Sequence, residues 1–114
     1  MRTIAALTVC VLLSACAADR AHTAADVCID EATSKLADKR VDYDRKQLAA
    51  SARETAPDTW QISAPLVFDA GLASEYTQIL DCRVRFDDSG APSVLFMQFN
   101  WSMDDVRKSN QSSP

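Results

Sequence analysis

Apolar residues recur along this chain with two different periods, and each period predicts a different kind of secondary structure. Between residues 24 and 39 they return every three or four residues, which predicts an amphipathic helix. Thr23 and Asp26 have the spacing of a capping box, and Glu31 and Lys35 form an i,i+4 pair in the favourable order. The predicted buried face of the helix consists of Ala25, Cys28, Ile29, Ala32 and Leu36.

Three later segments alternate apolar and polar residues in the manner of β-strands. They run from Trp60 to Phe68, from Tyr76 to Phe86 and from Val94 to Trp101. Turn residues at 88–90, followed by Pro92, predict a hairpin between the second and third strands. The residues predicted to face the core are Trp60, Ile62, Ala64, Leu66, Phe68, Tyr76, Leu80, Cys82, Val84, Phe86, Leu95, Met97, Phe99 and Trp101.

The stretch from residue 40 to residue 58 has a weaker pattern. Val41 and Tyr43 indicate a short extended step, and the alanine-rich residues 47–54 have the composition of a short second helix. Pro57 ends whatever element precedes it. From Ser102 onward the chain is polar, and residues 103–114 are expected to form a tail outside the folded domain.

The first fifteen residues have the composition of an export signal. Arg2 supplies one positive charge, and the run from Ile4 to Ala15 contains only Thr8 and Ser14 as polar residues. A membrane-spanning helix needs roughly 20 apolar residues, whereas this run has about a dozen. The run is therefore interpreted as the hydrophobic region of a signal peptide.

The end of this run, Leu13-Ser14-Ala15-Cys16, resembles the lipobox of bacterial lipoproteins. The resemblance implies cleavage before Cys16 and lipidation of its thiol, with two or three acyl chains giving a stable anchor. The chain then divides into a signal peptide (1–15), a lipidated cysteine with a short tether (16–22), a domain (23–102) and the tail (103–114). Directly after Cys16, Ala17 occupies the position where an aspartate, by resemblance to the enterobacterial pattern, would favour retention in the inner membrane. The expected location is therefore the outer membrane, with the domain facing the periplasm.

Two of the four cysteines remain available to the domain, because Cys10 leaves with the signal and Cys16 is lipidated. Cys28 and Cys82 form an even pair in an oxidising compartment, which predicts a disulfide between them. A redox pair or a metal site is the alternative. The chain has no C-x-x-C motif, however, and its single histidine, His22, lies in the predicted tether.

The simplest assembly of these elements is an α+β domain in which the N-terminal helix packs on a three-stranded antiparallel sheet and one disulfide joins the layers. The 99 residues left after removal of residues 1–15 suffice for one domain and not for two. In topology, one helix followed by three strands resembles several small envelope lipoproteins, among them the small accessory lipoprotein of the outer-membrane β-barrel assembly machine. This resemblance assigns no functional residue.

Charge and composition argue against several classes of binding site and catalytic site. Without Arg2, the chain carries 11 Lys and Arg against 16 Asp and Glu, and no basic stripe is present, so nucleic-acid binding is not expected. A single histidine outside the domain core leaves no nucleophile with a base, and Gly71 and Gly90 belong to turns, not to a phosphate loop. Asp42 and Asp44 lack the glycine and further ligands of a calcium loop. No enzyme activity, cofactor or metal is therefore expected.

The sheet face that points away from the helix carries the remaining candidate site. Two interpretations fit its composition. In the simpler one, residues 40–58 cover this face. In the other, the face is an exposed protein-binding patch with an aromatic centre and an arginine rim. The residues of this possible interaction patch are Ile79, Arg83, Arg85, Val94 and Phe96.

The favoured functional hypothesis is a non-enzymatic interaction or accessory module, held at the membrane by its lipid and bound to another envelope protein. An inhibitor or immunity lipoprotein directed against a cell-wall hydrolase is the alternative. A small cell-wall hydrolase is less favoured, because it requires two carboxylates that converge in a cleft.

Overall fold

The structure is a computed structural model, which describes the backbone of residues 9–102 and 107. Side chains are described for residues 17–102 and 107. The fold is α+β, as predicted. The tail predicted for residues 103–114 lies, apart from Arg107, outside the described residues. In chain order the elements are α1 (Val9–Lys35), β1 (Val41–Asp42), α2 (Arg45–Ser51), β2 (Arg53–Ala56), β3 (Thr59–Phe68), β4 (Tyr76–Phe86) and β5 (Pro92–Trp101).

The antiparallel sheet has five strands, so the prediction of three strands is wrong. The three predicted strands are β3, β4 and β5, which lie side by side, and β1 and β2 both pair with the outer edge of β3. Between them lies Pro65, whose missing N–H would have pointed to that open edge. β1 has two residues and all four residues of β2 are exposed, so neither leaves an alternating pattern in the sequence.

One face of the sheet forms the core together with α1. The inward-facing residues of β3 and most of those of β4 are buried, as the alternation predicts. Against them lie the buried side chains of α1, which include most of the predicted helix face. The buried helix residues are Ala24, Ala25, Cys28, Ile29 and Ala32, and Leu36 is partly buried.

The helix α1 begins earlier and ends sooner than predicted. Residues 17–22, for which the sequence predicts a tether, are helical, and Thr23 lies within the helix rather than capping it. Alanine-rich sequence favours this extension. The helix ends at Lys35 instead of residue 39, and the predicted pair of Lys35 Nζ and Glu31 Oε1 is present at 3.9 Å.

The short helix α2 attaches residues 40–58, the stretch with the weaker pattern, to the helix layer. Asp44 caps it, because Oδ1 accepts from the backbone N–H groups of Lys46 (2.9 Å) and Gln47 (3.3 Å). Leu48 is buried in the core, and Arg45 Nη1 lies 3.4 Å from Oδ1 of Asp26 on α1. Residues 45–51 therefore occupy the same side of the sheet as α1.

Candidate functional site

The face of the sheet opposite α1, here named the outer face, is formed by the alternate residues of each strand. None of these residues is buried, and the described part of the chain places no helix over them. In β4 they are Thr77, Ile79, Asp81, Arg83 and Arg85, and the β3 and β5 positions opposite them are Thr59, Gln61, Ser63, Pro65, Val67, Ser93, Phe96, Gln98 and Asn100.

A cross-strand row of four side chains is the centre of this face. Arg53 of β2 is opposite Gln61 of β3, which is opposite Arg83 of β4, which in turn is opposite Phe96 of β5. The guanidinium carbon of Arg83 lies 6.0 Å from the centroid of the Phe96 ring, whose residue is 43% exposed. This distance is at the outer limit of a cation–π contact, so the arginine remains available to other groups.

Four of the five residues of the predicted interaction patch, Ile79, Arg83, Arg85 and Phe96, lie on the outer face. Val94 does not, because the register of β5 against β4 shifts between Arg83 and Val84. A bulge of this kind inserts one residue, so the residues before it point to the face opposite to the one that simple alternation predicts. Val94 therefore lies opposite Val84 and packs on the core.

The inserted residue of the bulge is Leu95, for which alternation predicts a position in the core. It is instead 57% exposed, beside Phe96. Arg53 and Gln61 also belong to the face, and sequence reasoning missed them. Neither gave a signal, because β2 is too short to reveal which of its residues share a face with β3.

The interpretation that residues 40–58 cover the outer face is wrong. Their helix packs on the core side through Leu48, and their two strands extend the sheet at the edge of β3. Ser51 Oγ accepts a hydrogen bond from the backbone N–H of Ser63, which holds the segment along that edge. Among the described residues, the exposed alternative is the one that fits.

Positive charge on the outer face is not neutralised by ion pairs. The ion pairs formed by the described residues involve Arg20, Lys35 and Arg45, and none includes Arg53, Arg83 or Arg85. The nearest carboxylate on the same strand, Asp81, accepts a hydrogen bond from Gln61 Nε2 at 2.9 Å. Three unpaired guanidinium groups thus lie on one open face of a chain with net charge −4.

The predicted disulfide is present and joins the two layers. Cys28 of α1 and Cys82 of β4 are bonded, with their Cα atoms 6.1 Å apart, and both residues are fully buried. The bond anchors the helix to the central strand whose opposite side carries Arg83. It therefore fixes the helix layer to the side of the sheet opposite the outer face.

The predicted lipidation site, Cys16, lies on the helical backbone of α1, and its side chain is outside the described residues. No helix in the described ranges is both long and apolar enough to cross a membrane. Four residues after Cys16, Arg20 binds the domain: its Nη1 is 2.8 Å from Oδ1 of Asp58 in the β2–β3 turn, and its guanidinium carbon is 4.9 Å from the Phe86 ring centroid.

We predict that Arg20→Gln loosens the start of the folded helix. Loss of the ion pair and of the cation–π contact should cost about 1 kcal/mol locally, which corresponds to roughly fivefold faster amide exchange. Hydrogen exchange measured at residues 17–24 tests this expectation. Arg40→Gln is the matched control, because Arg40 is exposed and forms none of the ion pairs described above. Equal exchange rates in the two variants would contradict the contact.

Carboxylates meet in one open pocket, which is lined by Asp58, Asp87 and Asp88 with Arg85, Phe86, Ser93 and Leu95. Two of the three have structural partners. Asp58 binds Arg20, and Oδ1 of Asp87 accepts from the hydroxyl of Ser89 (2.6 Å) and from two backbone N–H groups of the β4–β5 turn. These bonds, the Ser89 hydroxyl first, lower the pKa of Asp87, whereas a general acid of a glycosidase requires a raised pKa.

Metal ligands do not cluster in the described part of the chain, where no group of three His, Cys, Asp or Glu side chains is placed to hold an ion. His22 is exposed on α1, and the acidic pair Asp104 and Asp105 lies outside the described residues.

Comparisons with protein-family models, with curated proteins and with solved structures found no match to this chain.

Proposed function

We propose that this chain is a lipid-anchored accessory module of the bacterial envelope, which acts without catalysis by binding another envelope protein through its outer face. The observation that carries the proposal is the open row of Arg53, Gln61, Arg83 and Phe96. An aromatic side chain flanked by arginines is the composition typical of protein-binding surfaces.

The charge of this face defines the partner. Three arginines without ion pairs favour a surface that presents carboxylates, and an arginine pairs with a carboxylate through two parallel hydrogen bonds. Phe96, 43% exposed, and Leu95, 57% exposed, provide apolar surface that a partner would cover beside its carboxylates. The proposed partner is an acidic protein surface with an apolar centre.

The start of α1 supports a position close to the membrane. If Cys16 carries the lipid, the helix leads from the anchor to the first docked residue, Arg20, in about 6 Å at the usual rise of an α-helix. A helix of this kind holds the domain at a fixed orientation, whereas a flexible tether would not. The partner would then lie in the periplasm near the membrane, where the outer membrane is the favoured location.

Neither alternative gains support from a particular observation. Of the three carboxylates that converge near Phe86, Asp58 is bound to Arg20 and Asp87 to the β4–β5 turn, which does not favour a hydrolase. An inhibitor of a cell-wall hydrolase would use the same outer face as any other interaction module. It differs only in the identity of the partner.

The test is photo-crosslinking in the bacterium that produces the full chain, with a photoreactive phenylalanine analogue in place of Phe96. We expect a discrete adduct with one envelope protein. The adduct should fall several-fold when Arg83→Glu and Arg85→Glu are added, because acidic groups on the partner would then be repelled. The same analogue in place of Glu31, which is exposed on α1, should give no such adduct.

The matched charge control is Lys35→Glu with Lys39→Glu, which changes the net charge equally on the helix side of the protein. It should leave the adduct at its original yield. The proposal is wrong if the helix-side variant lowers the yield as much as the outer-face variant, or if the position of the analogue makes no difference.

A further inference from the structure

The last strand, β5, ends the sheet on the side away from β3 and differs in composition from the rest of the chain. Its ten residues, from Pro92 to Trp101, include no charged side chain. Three of the four exposed large apolar residues among those that the structure describes lie on it: Leu95 and Trp101, each 57% exposed, and Phe96. An apolar strand at a sheet edge is a template for pairing with another strand.

The hydrogen-bonding groups that such a pairing would use can be identified. The backbone N–H of Ser102 donates to the carbonyl of Thr77 on β4 at 3.4 Å. Because the groups of successive residues alternate in direction, those of Phe96, Gln98 and Asn100 also point to β4. The N–H and C=O groups of Met97, Phe99 and Trp101 therefore point outward, along an edge with which no other described strand pairs.

The devices that usually protect an edge are confined to the first half of β5. Pro92 opens the strand, and the bulge at Leu95 interrupts its regular hydrogen bonding. From Phe96 to Trp101 the strand is regular and carries no lysine, no proline and no further bulge. Phe99 is the outward-directed residue nearest the centre of this unprotected half.

We propose that two copies of this chain pair through β5, antiparallel and centred on Phe99, so that their sheets join into one. The chain has a net negative charge, but β5 carries no charged residue, so the pairing of two copies brings no like charges together in the contact. Met97 of one copy lies opposite Trp101 of the second, which covers indole surface that is exposed in the single copy. A partner strand rich in charge would have no counter-charge on β5, and this favours a second copy as the occupant.

The symmetry of this pairing agrees with attachment to one membrane. The two-fold axis is perpendicular to the joined sheet, so both copies of α1 lie on the same side. The outer faces also become continuous across the joint. The pairing does not depend on the proposed docking of an acidic partner, and either can fail without the other.

Cysteine crosslinking of the full chain in membranes tests the pairing. In the proposed register Gln98 of one copy faces Asn100 of the other as a non-hydrogen-bonded pair, whose Cα atoms are about 4.5 Å apart and within reach of a disulfide. Copies with Gln98→Cys and Asn100→Cys, carrying different epitope tags, are produced together and oxidised. We expect a mixed-tag dimer at several times the yield given by Ser63→Cys in both copies.

Ser63 is the control position because it is exposed on the same face, two strands away from the edge. Equal yields at the two positions would overturn the pairing. A second measurement needs no cysteine: differently tagged wild-type copies should co-purify in detergent. Gln98→Lys with Asn100→Lys should abolish co-purification, and mixing this variant with the corresponding double glutamate variant should restore it. Failure of the wild-type copies to co-purify would also overturn the proposal.

Discussion

Replacement of both Cys28 and Cys82 by alanine should lower the free energy of unfolding by about 4 kcal/mol. The bond closes a loop with a sequence separation of 54. On the chain-entropy treatment, a disulfide that closes a loop of this size stabilises the folded state by roughly that amount, because it restricts the unfolded chain. Because small domains are stable by only about 5–15 kcal/mol, the loss is a large part of the total. Urea unfolding of the double variant, compared with the oxidised wild type, gives the value.

Reduction supplies the matched control. A thiol reductant should destabilise the wild-type protein by a similar amount and leave the double alanine variant unchanged. Both cysteines are fully buried, so mild treatment that leaves the fold intact should not reach the bond. The structural role of the disulfide is contradicted if the double variant unfolds at the same urea concentration as the oxidised wild type.

Cys16→Ser should remove all fatty-acid label from the protein. The lipobox assignment makes the Cys16 thiol the acceptor of the diacylglycerol, and serine offers no thiol for the thioether. Metabolic labelling with a fatty acid, followed by mass spectrometry of the purified chain, checks the result. The wild type should be labelled and should begin at residue 16.

Cys10→Ser is the control for this experiment, since it removes another cysteine of the same N-terminal segment but lies in the predicted signal. It should be labelled like the wild type. A wild-type chain that carries no label, or a Cys16→Ser chain that keeps it, would refute the anchor.

The elements that the sequence predicts well are those with one buried face. In β3, Trp60, Ile62, Leu66 and Phe68 are buried at every second position, and burial on one face enforces alternation. β1 and β2 lie at the edge of β3 and contribute little to the core, so burial imposes no alternation on their residues. The alanine-rich sequence favours the extension of α1, but local sequence does not encode the contact between Arg20 and Asp58, 38 residues away, that holds the extension to the sheet.

The candidate site was predictable to a similar extent. Arg83 and Arg85 follow from the alternation of β4, and Phe96 from that of β5. The bulge at Leu95 exchanges Val94 and Leu95 between the faces, and a single inserted residue leaves no mark in an apolar run. Arg53 joins the face only through the register of β2 with β3, which is a tertiary property.

Cysteine labelling on the outer face measures most directly whether that face is occupied by a partner. Single cysteines at Ile79, Gln61 and Ser63 are labelled in the full chain, first in membranes of the bacterium that produces it and then after purification in detergent. Ser34, exposed on α1, is the reference position. We predict that the outer-face positions react several-fold more slowly in the native membranes than after purification, whereas the reference position reacts equally in both. If each of the four positions reacts equally fast in the two preparations, the proposal that a partner occupies the outer face is contradicted.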